Sequence, residues 1–444
     1  MPVSLNSLYF IDRSLITSQL STAYKTYKKY LYLCCEKQRL LVDFACLREL
    51  GSQRQTKPLM PSQAPTNQTT PTDEHVVSFD YPIELACGTV LSSHQLAYET
   101  YGELNSERSN AILICHALSG DQHAAGVNEE GQTGWWNHYI GPGKPINTNH
   151  FFVVCPNNLG SCFGSTGPNT INPETQRVWG ADFPSLEVSD WVASQQYLME
   201  HLNINCWAAV VGGSLGGMQA MHWAVHYPDK LKHAIVIASA LKLSAQNIAF
   251  NEVARRAIQS DSNFKQGQFL EQKTNPDQGL ALARMIGHLT YLSDHALGRK
   301  FGRLVHSGDI NSAEKEMVEF EVASYLNYQG DKFAGRFDAN SYILITQMLD
   351  YFDLAANFDE DPAVAFRQAQ CKFLVISFSS DWRFSPQCSK LIVDALTAAH
   401  RDVSYLNVDS DQGHDAFLLA NPRYELALSS YLQRVANSLG DRVE

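Results

Sequence analysis

The sequence predicts an α/β protein, a mostly parallel, doubly wound sheet with a helical cap inserted between its strands. Two observations lead there. Short apolar, β-rich runs at Ala111–His116, Phe151–Cys155, Ala208–Gly212, His233–Ser239, Phe373–Phe378 and Val403–Val408 alternate with helical patterns. Runs that are apolar at every position belong to strands covered on both faces. Between about Lys242 and Glu360 the strand-like runs cease and helical stretches take over, at Phe250–Ser260, Gly279–Leu292 and Ala313–Tyr328. The predicted organisation is therefore an N-terminal extension (1–74), a first part of the core (75–241), the cap (242–360) and a second part of the core (361–444).

The extension ends in GSQRQTKPLMPSQAPTNQTTPTD, rich in Gln, Thr, Pro and Ser, a composition that reads as a disordered linker. The folded part is expected to begin near His75. Met60 could open a shorter chain, and the alternative expectation is that residues 1–59 are an over-called start.

The 444 residues are 44% hydrophobic and 18% charged, ordinary values for a globular protein. A formal net charge of −12 speaks against a nucleic-acid partner, which needs clustered Lys and Arg. The 10 cysteines scatter singly apart from Cys34–Cys35, with neither CxxC pairs nor Cys/His zinc spacing, so free thiols in a reducing compartment are expected and no metal. The first twenty residues lack an apolar signal core. No later stretch reaches the roughly 18 consecutive apolar residues of a membrane span, so the expected location is cytoplasmic.

The segment WAAVVGGSLGGMQAMHWAVHYP carries the chemistry. An apolar strand runs into Gly212-Gly213-Ser214-Leu215-Gly216 and on into an amphipathic helix, the GxSxG pattern in the setting it requires. A tight strand-to-helix turn exposes the serine hydroxyl and leaves no room for side chains two residues before and after it. A serine hydroxyl is a weak nucleophile near neutral pH, so a base and an orienting acid must come from elsewhere. Asp381 follows the run CKFLVISFSS, and His414 lies in DQGHDAF after VSYLNVDS, so both sit past the ends of strands in the order serine, acid, histidine. The loop AILICHALSGDQHAAG should supply a second oxyanion donor, with the backbone amides of Leu118 and Leu215 as the pair. His116 and His123 in that loop are read as structural, and Trp135–Trp136 as packing beside the site's mouth.

Across about 76–436 the chain resembles the homoserine O-acyltransferases of methionine biosynthesis, the type built on the α/β-hydrolase fold. The resemblance rests on HALSGDQHAAG, GWWNHYIGPGKPINT, NNLGSCFGSTGP, VVGGSLGGMQA, SAQNIAFNEVAR, ARMIGHLTYLS, FDANSYILIT, SDWRFSP and QGHDAF, in one order. It implies ping-pong acyl transfer from a coenzyme A thioester through Ser214 to the hydroxyl of L-homoserine, with the acyl-CoA a co-substrate and no cofactor. It also implies that Arg284 clamps homoserine's carboxylate and Asp415 its ammonium, and that the protein is a homodimer. Arg383, two residues past the acid, is read as the partner of a distal carboxylate, because family members that use acetyl-CoA more typically carry an apolar residue there. Succinyl-CoA is therefore the expected donor, with acetyl transfer or plain ester hydrolysis as the alternatives.

Overall fold

The computed structural model describes residues 73–308 and 318–440; the expectations for the N-terminal extension and Cys34–Cys35 fall outside the described residues. Strands β1 (Asp73–Phe79), β2 (His94–Tyr101), β3 (Ala111–Cys115), β4 (Phe152–Pro156), β5 (Ala209–Gly213), β6 (His233–Ile237), β7 (Lys372–Phe378) and β8 (Val403–Val408) form one sheet. Their spatial order is β1-β2-β4-β3-β5-β6-β7-β8. The β1–β2 and β2–β4 pairs are antiparallel and the rest parallel.

The apolar runs become strands because alternate residues serve opposite faces. On β6, Ala234 and Val236 join a cluster with Trp191, Met218, Met221 and Leu396. Ile235 and Ile237 point the other way, toward Tyr424, Leu428 and Leu432. The first face is covered by α1 (Val188–His201), α2 (Leu215–His226) and, further along the chain, the helix Pro386–Ala398; the second is covered by Pro422–Gly440.

Between β6 and β7 lie α3 (Ala245–Ser260), α4 (Asp277–Tyr291), α5 (Asp294–Phe301), α6 (Glu321–Ala334) and α7 (Ala339–Tyr351). Ser244, Ser293 and Asp338 open α3, α5 and α7 by accepting the N–H of Asn247, Ala296 and Ser341. Within this helical stretch Ala254, Leu280 and Phe333 share a cluster with Val236 and Met218 of the sheet and its covering helix.

Two expectations need correction. The helix expected over Ala313–Tyr328 begins at Glu321, and Val305–Ser307 pairs with Glu319–Phe320 as a short antiparallel ribbon inside the stretch expected to lack strands; residues 313–317 lie outside the described residues. Phe320 has extended backbone at the helix's N-cap, so the apolar pattern there belongs to a strand end. The sheet also has two strands the apolar runs did not reveal, β1 and β2. HQLAYETY is buried along almost its whole length despite its polar residues, because Glu99 accepts hydrogen bonds from Tyr101 (2.7 Å) and from His123 Nδ1 (3.0 Å).

Ile376 in β7 is fully buried. Ile376→Ala is expected to cost about 2–5 kcal/mol of unfolding free energy in urea titration; a loss below about 1 kcal/mol would contradict the two-faced packing.

Candidate active site

Strand β5 passes into α2 through Ser214, whose backbone sits at φ 58 and ψ −121. A non-glycine residue holds this conformation only where its surroundings enforce it. Here they do: a Cβ on Gly212 would come within 2.1 Å of the Gly216 carbonyl, and one on Gly216 within 2.0 Å of Cys115 O. The Ser214 N–H donates to Ile237 O (2.8 Å), and its carbonyl accepts from Ser239 Oγ (2.8 Å) and Gly217 N–H (3.0 Å). The serine side chain stays partly exposed among buried neighbours.

Leu215 opens α2, so its N–H has no acceptor within the helix. Leu118 lies in the loop after β3, the neighbour of β5, so both amides leave the same edge of the sheet. That loop is tightened by Gly120 N–H donating to Ala117 O (3.0 Å). His116 donates from Nδ1 to Ala117 O (2.8 Å) and accepts Asn158 N–H at Nε2 (3.2 Å), which fixes a neutral tautomer. Burial pushes its pKa down to about 4. With both nitrogens engaged it is a strut.

Asp381 follows β7, and His414 lies in the 3-10 turn Gly413–Phe417 after β8. His414 Nδ1 donates to Asp381 Oδ2 at 2.7 Å. The other carboxylate oxygen accepts the N–H groups of Arg383 (3.0 Å) and Phe384 (2.8 Å). Both side chains are buried. The turn is pressed onto the elbow and onto α4: a Cβ on Gly213 would lie 2.5 Å from the Phe417 ring, and one on Gly413, at φ +73, 2.5 Å from Tyr291 O. Trp136 Nε1 donates to Phe417 O (2.9 Å) and holds the turn from the other side, so the Trp pair packs rather than presents two open faces. Among the described residues no hydrogen bond joins the Ser214 hydroxyl to His414; general-base contacts commonly tighten only once substrate binds.

Two cationic stations flank this centre. Arg284 on α4 donates to Ser119 Oγ (3.2 Å) and lies over the Phe333 ring at 4.7 Å. Burial raises the Asp415 carboxyl above the usual carboxylate range, while the charges of His414 and Arg284 pull it back down. Arg284 and Asp415 thus sense each other, yet no ion pair joins them among the described residues. Such an open spacing suits a molecule with a charge at each end.

Arg383 is 9% exposed, donates to Thr290 Oγ1 (2.6 Å) and Asn251 Oδ1 (3.3 Å), and has its guanidinium 5.2 Å from the Tyr291 ring centre. No carboxylate pairs with it among the described residues. A second arginine, Arg255, is neutralised by Asp350 (2.7 Å), to which Asn251 also donates (2.7 Å). Thr290, Asn251 and Tyr291 are site residues that sequence reasoning missed. Tyr291 was within reach, since it stands two turns after Arg284 on the same face of α4. Among the described residues no group of three or more His, Cys, Asp or Glu is placed to hold a metal, and no helix is long and apolar enough to cross a membrane.

A serine at a strained strand-to-helix turn and a buried Asp–His pair, carried past the ends of strands of one mostly parallel sheet, fit one class: the family model described as alpha/beta hydrolase fold matches residues 110–420. A homoserine O-succinyltransferase of Cellvibrio japonicus (strain Ueda107) is 59% identical over 378 residues, 85% of this chain and 100% of the relative. The crystal structure of a homoserine O-acetyltransferase from Bacillus anthracis superposes with a TM-score of 0.75 at 28% identity, covering 81% of this chain and 97% of that one. That of esterase E22 gives 0.72 at 27% identity, covering 81% and 100%. The chain belongs to the homoserine O-succinyltransferase family of α/β-hydrolase-fold proteins.

Ser214→Ala is expected to abolish covalent labelling by a fluorophosphonate probe, read by intact mass; labelling that persists would move the nucleophile elsewhere. His116 also gives a pH dependence. Its folded pKa, about 4, lies below the ordinary histidine value of 6.5, so the unfolded chain binds the extra proton first as pH falls. Stability is then full above pH 6.5 and declines toward pH 4, by up to about 1.4 kcal/mol per pH unit from this residue. Denaturant titrations across that range, with His116→Gln expected to flatten the decline, check it.

Proposed function

We propose that the protein transfers a succinyl group from succinyl-CoA to the side-chain hydroxyl of L-homoserine, giving O-succinyl-L-homoserine and CoA in methionine biosynthesis. The observation that carries this reading is the 59% identity to a homoserine O-succinyltransferase along that relative's whole length. Arg383 supports the choice of acyl group. A buried guanidinium without a carboxylate leaves a charge that a succinyl chain would match and an acetyl group would not.

In the first half-reaction Ser214 Oγ attacks the thioester carbonyl while His414 Nε2 takes its proton, with Asp381 holding the ring and stabilising the imidazolium. The Leu118 and Leu215 amides receive the developing oxyanion. The C–S bond breaks, His414 returns the proton to sulfur, and CoA leaves an acyl-serine. Homoserine then binds between Arg284 and Asp415. Its hydroxyl gives a proton to His414 and attacks the acyl carbon; the ester bond to Ser214 breaks and the serine is reprotonated. Acyl-CoA is a co-substrate and no cofactor or metal takes part.

Placement in the cytoplasm and a homodimer belong to the same proposal. The dimer is supported by the exposed apolar residues Val253 (56%), Leu282 (51%) and Leu289 (46%) on α3 and α4.

Thiol release from succinyl-CoA and acetyl-CoA, each with and without L-homoserine, tests the reading. Release from succinyl-CoA that depends on homoserine is the expected result; preference for acetyl-CoA would overturn the acyl assignment, and indifference to homoserine would mark a hydrolase. Arg383→Leu is expected to shift kcat/KM from succinyl-CoA toward acetyl-CoA by at least tenfold, the scale of one charged hydrogen-bonded contact.

A further inference from the structure

The acyl-transfer reading assigns the residues of the reaction centre but not those of the groove beside Arg284. A cavity of about 460 Å³ begins at Arg284 and is walled by Trp135, Gln329, Lys332, Phe333 and Arg336. It shares Gln132, Thr133, Trp135 and Arg336 with a second cavity of about 510 Å³ that reaches Ser119 and Gly120, next to the Leu118 amide. The two form one groove running from the oxyanion loop to the surface.

Its outer wall is the end of α6 and the turn that follows it. Gln329, Lys332 and Phe333 stand at helical spacing on α6, three and four residues from the first, and Arg336 lies in the turn just past the helix end. Phe333 is buried under Arg284, so the helix end is anchored by its apolar residue while Lys332 and Arg336 stand at the rim. Every ionisable residue lining the Arg284 section is a cation, namely Arg284, Lys332 and Arg336. In a chain of net charge −12 that is a local inversion of sign. Lys332 is exposed and makes no ion pair among the described residues. Arg336 reaches Asp121 only at 3.7 Å and packs over the Phe163 ring at 5.6 Å. The acids of the adjoining section are Glu99, which is held by His123, Asp121 and the exposed Glu130.

We propose that Lys332 and Arg336 are the phosphate-binding residues of the donor site. On this inference, which rests on the acyl-CoA reading above, the thioester lies at Ser214, the pantetheine arm runs past Trp135, and the phosphates of the adenosine end meet the two cations at the rim. Arg284, deeper in the groove, keeps its guanidinium for the amino-acid acceptor. Mobile point charges at the mouth suit phosphates, whose charge is large and whose oxygens accept from several directions.

The test separates the phosphates from the rest of the donor. Binding of CoA and of pantetheine, which lacks the adenosine phosphates, is measured by calorimetry on the wild type, on Lys332→Ala, and on Lys332→Ala/Arg336→Ala, with Lys332→Arg as the charge-preserving control. Each lost cation is expected to weaken CoA about tenfold and leave pantetheine within twofold, with Lys332→Arg restoring most of the loss. Raising the salt concentration should weaken CoA binding to the wild type and barely change it in the double variant. Unchanged CoA affinity, or equal losses for CoA and pantetheine, would overturn the assignment, as would a wild type that fails to bind CoA. A wild type that binds CoA through these residues yet transfers only acetyl groups leaves the phosphate site standing and overturns the succinyl reading, so the two failures are distinguishable.

Discussion

The structure turns on one steric constraint, the crossing of backbones at the elbow. Gly216 rests on Cys115 O so closely that even a methyl group would overlap it at 2.0 Å, and Gly212 faces Gly216 at 2.1 Å. These contacts bring the first turn of α2 down onto β3 and β5 together. With the helix seated there, Ser214 has no relaxed backbone available and is held at φ 58. The same seating aims the unpaired amide of Leu215 at the edge from which the β3 loop departs. One close approach therefore sets the exposure of Ser214, the helix dipole and the free Leu215 amide at once, the features the proposed acyl transfer draws on.

The acid and histidine are placed by a different device, hydrogen bonds that end in backbone. Asp381 is held by its own loop's N–H groups, and the turn carrying His414 is clamped between Phe417 O, bonded to Trp136, and the end of α4. Because α4 carries Arg284 together with Thr290 and Tyr291, the contacts of Arg383, the element that seats the histidine also bears one cationic station and steadies the other. A shift of α4 would disturb the histidine turn and the surroundings of both arginines together.

Legibility from sequence followed the range of the interactions. Ser214, its glycines and the five buried strand runs were readable because their constraints are local: a tight turn, or apolar residues on both faces; the sixth run, Val403–Val408, forms the partly exposed edge strand. Strand β2 was not, since Glu99 is tolerated in the interior through Tyr101 and through His123, and no local pattern announces the second partner, 24 residues away. The partners of Arg383 were equally hidden, with Thr290 and Asn251 lying 93 and 132 positions away. The ribbon at Val305–Ser307 was obscured by its brevity, three residues against two, too short for alternation to register.

The likeness to an esterase raises the question of what turns this elbow and acid–histidine pair toward transfer. The elbow cannot decide it, because an acyl-serine reacts with whichever hydroxyl the histidine deprotonates. Position decides: an acceptor held by both its charged ends raises the effective concentration of its hydroxyl far above what a freely tumbling water achieves at the same spot. No ion pair joins Arg284 and Asp415 among the described residues, and Asp415 follows His414 directly in the chain, so on the proposed reading an acceptor held by the two would meet the base. On this view the preference for transfer lies in two charges kept apart, which homoserine can bridge and water cannot.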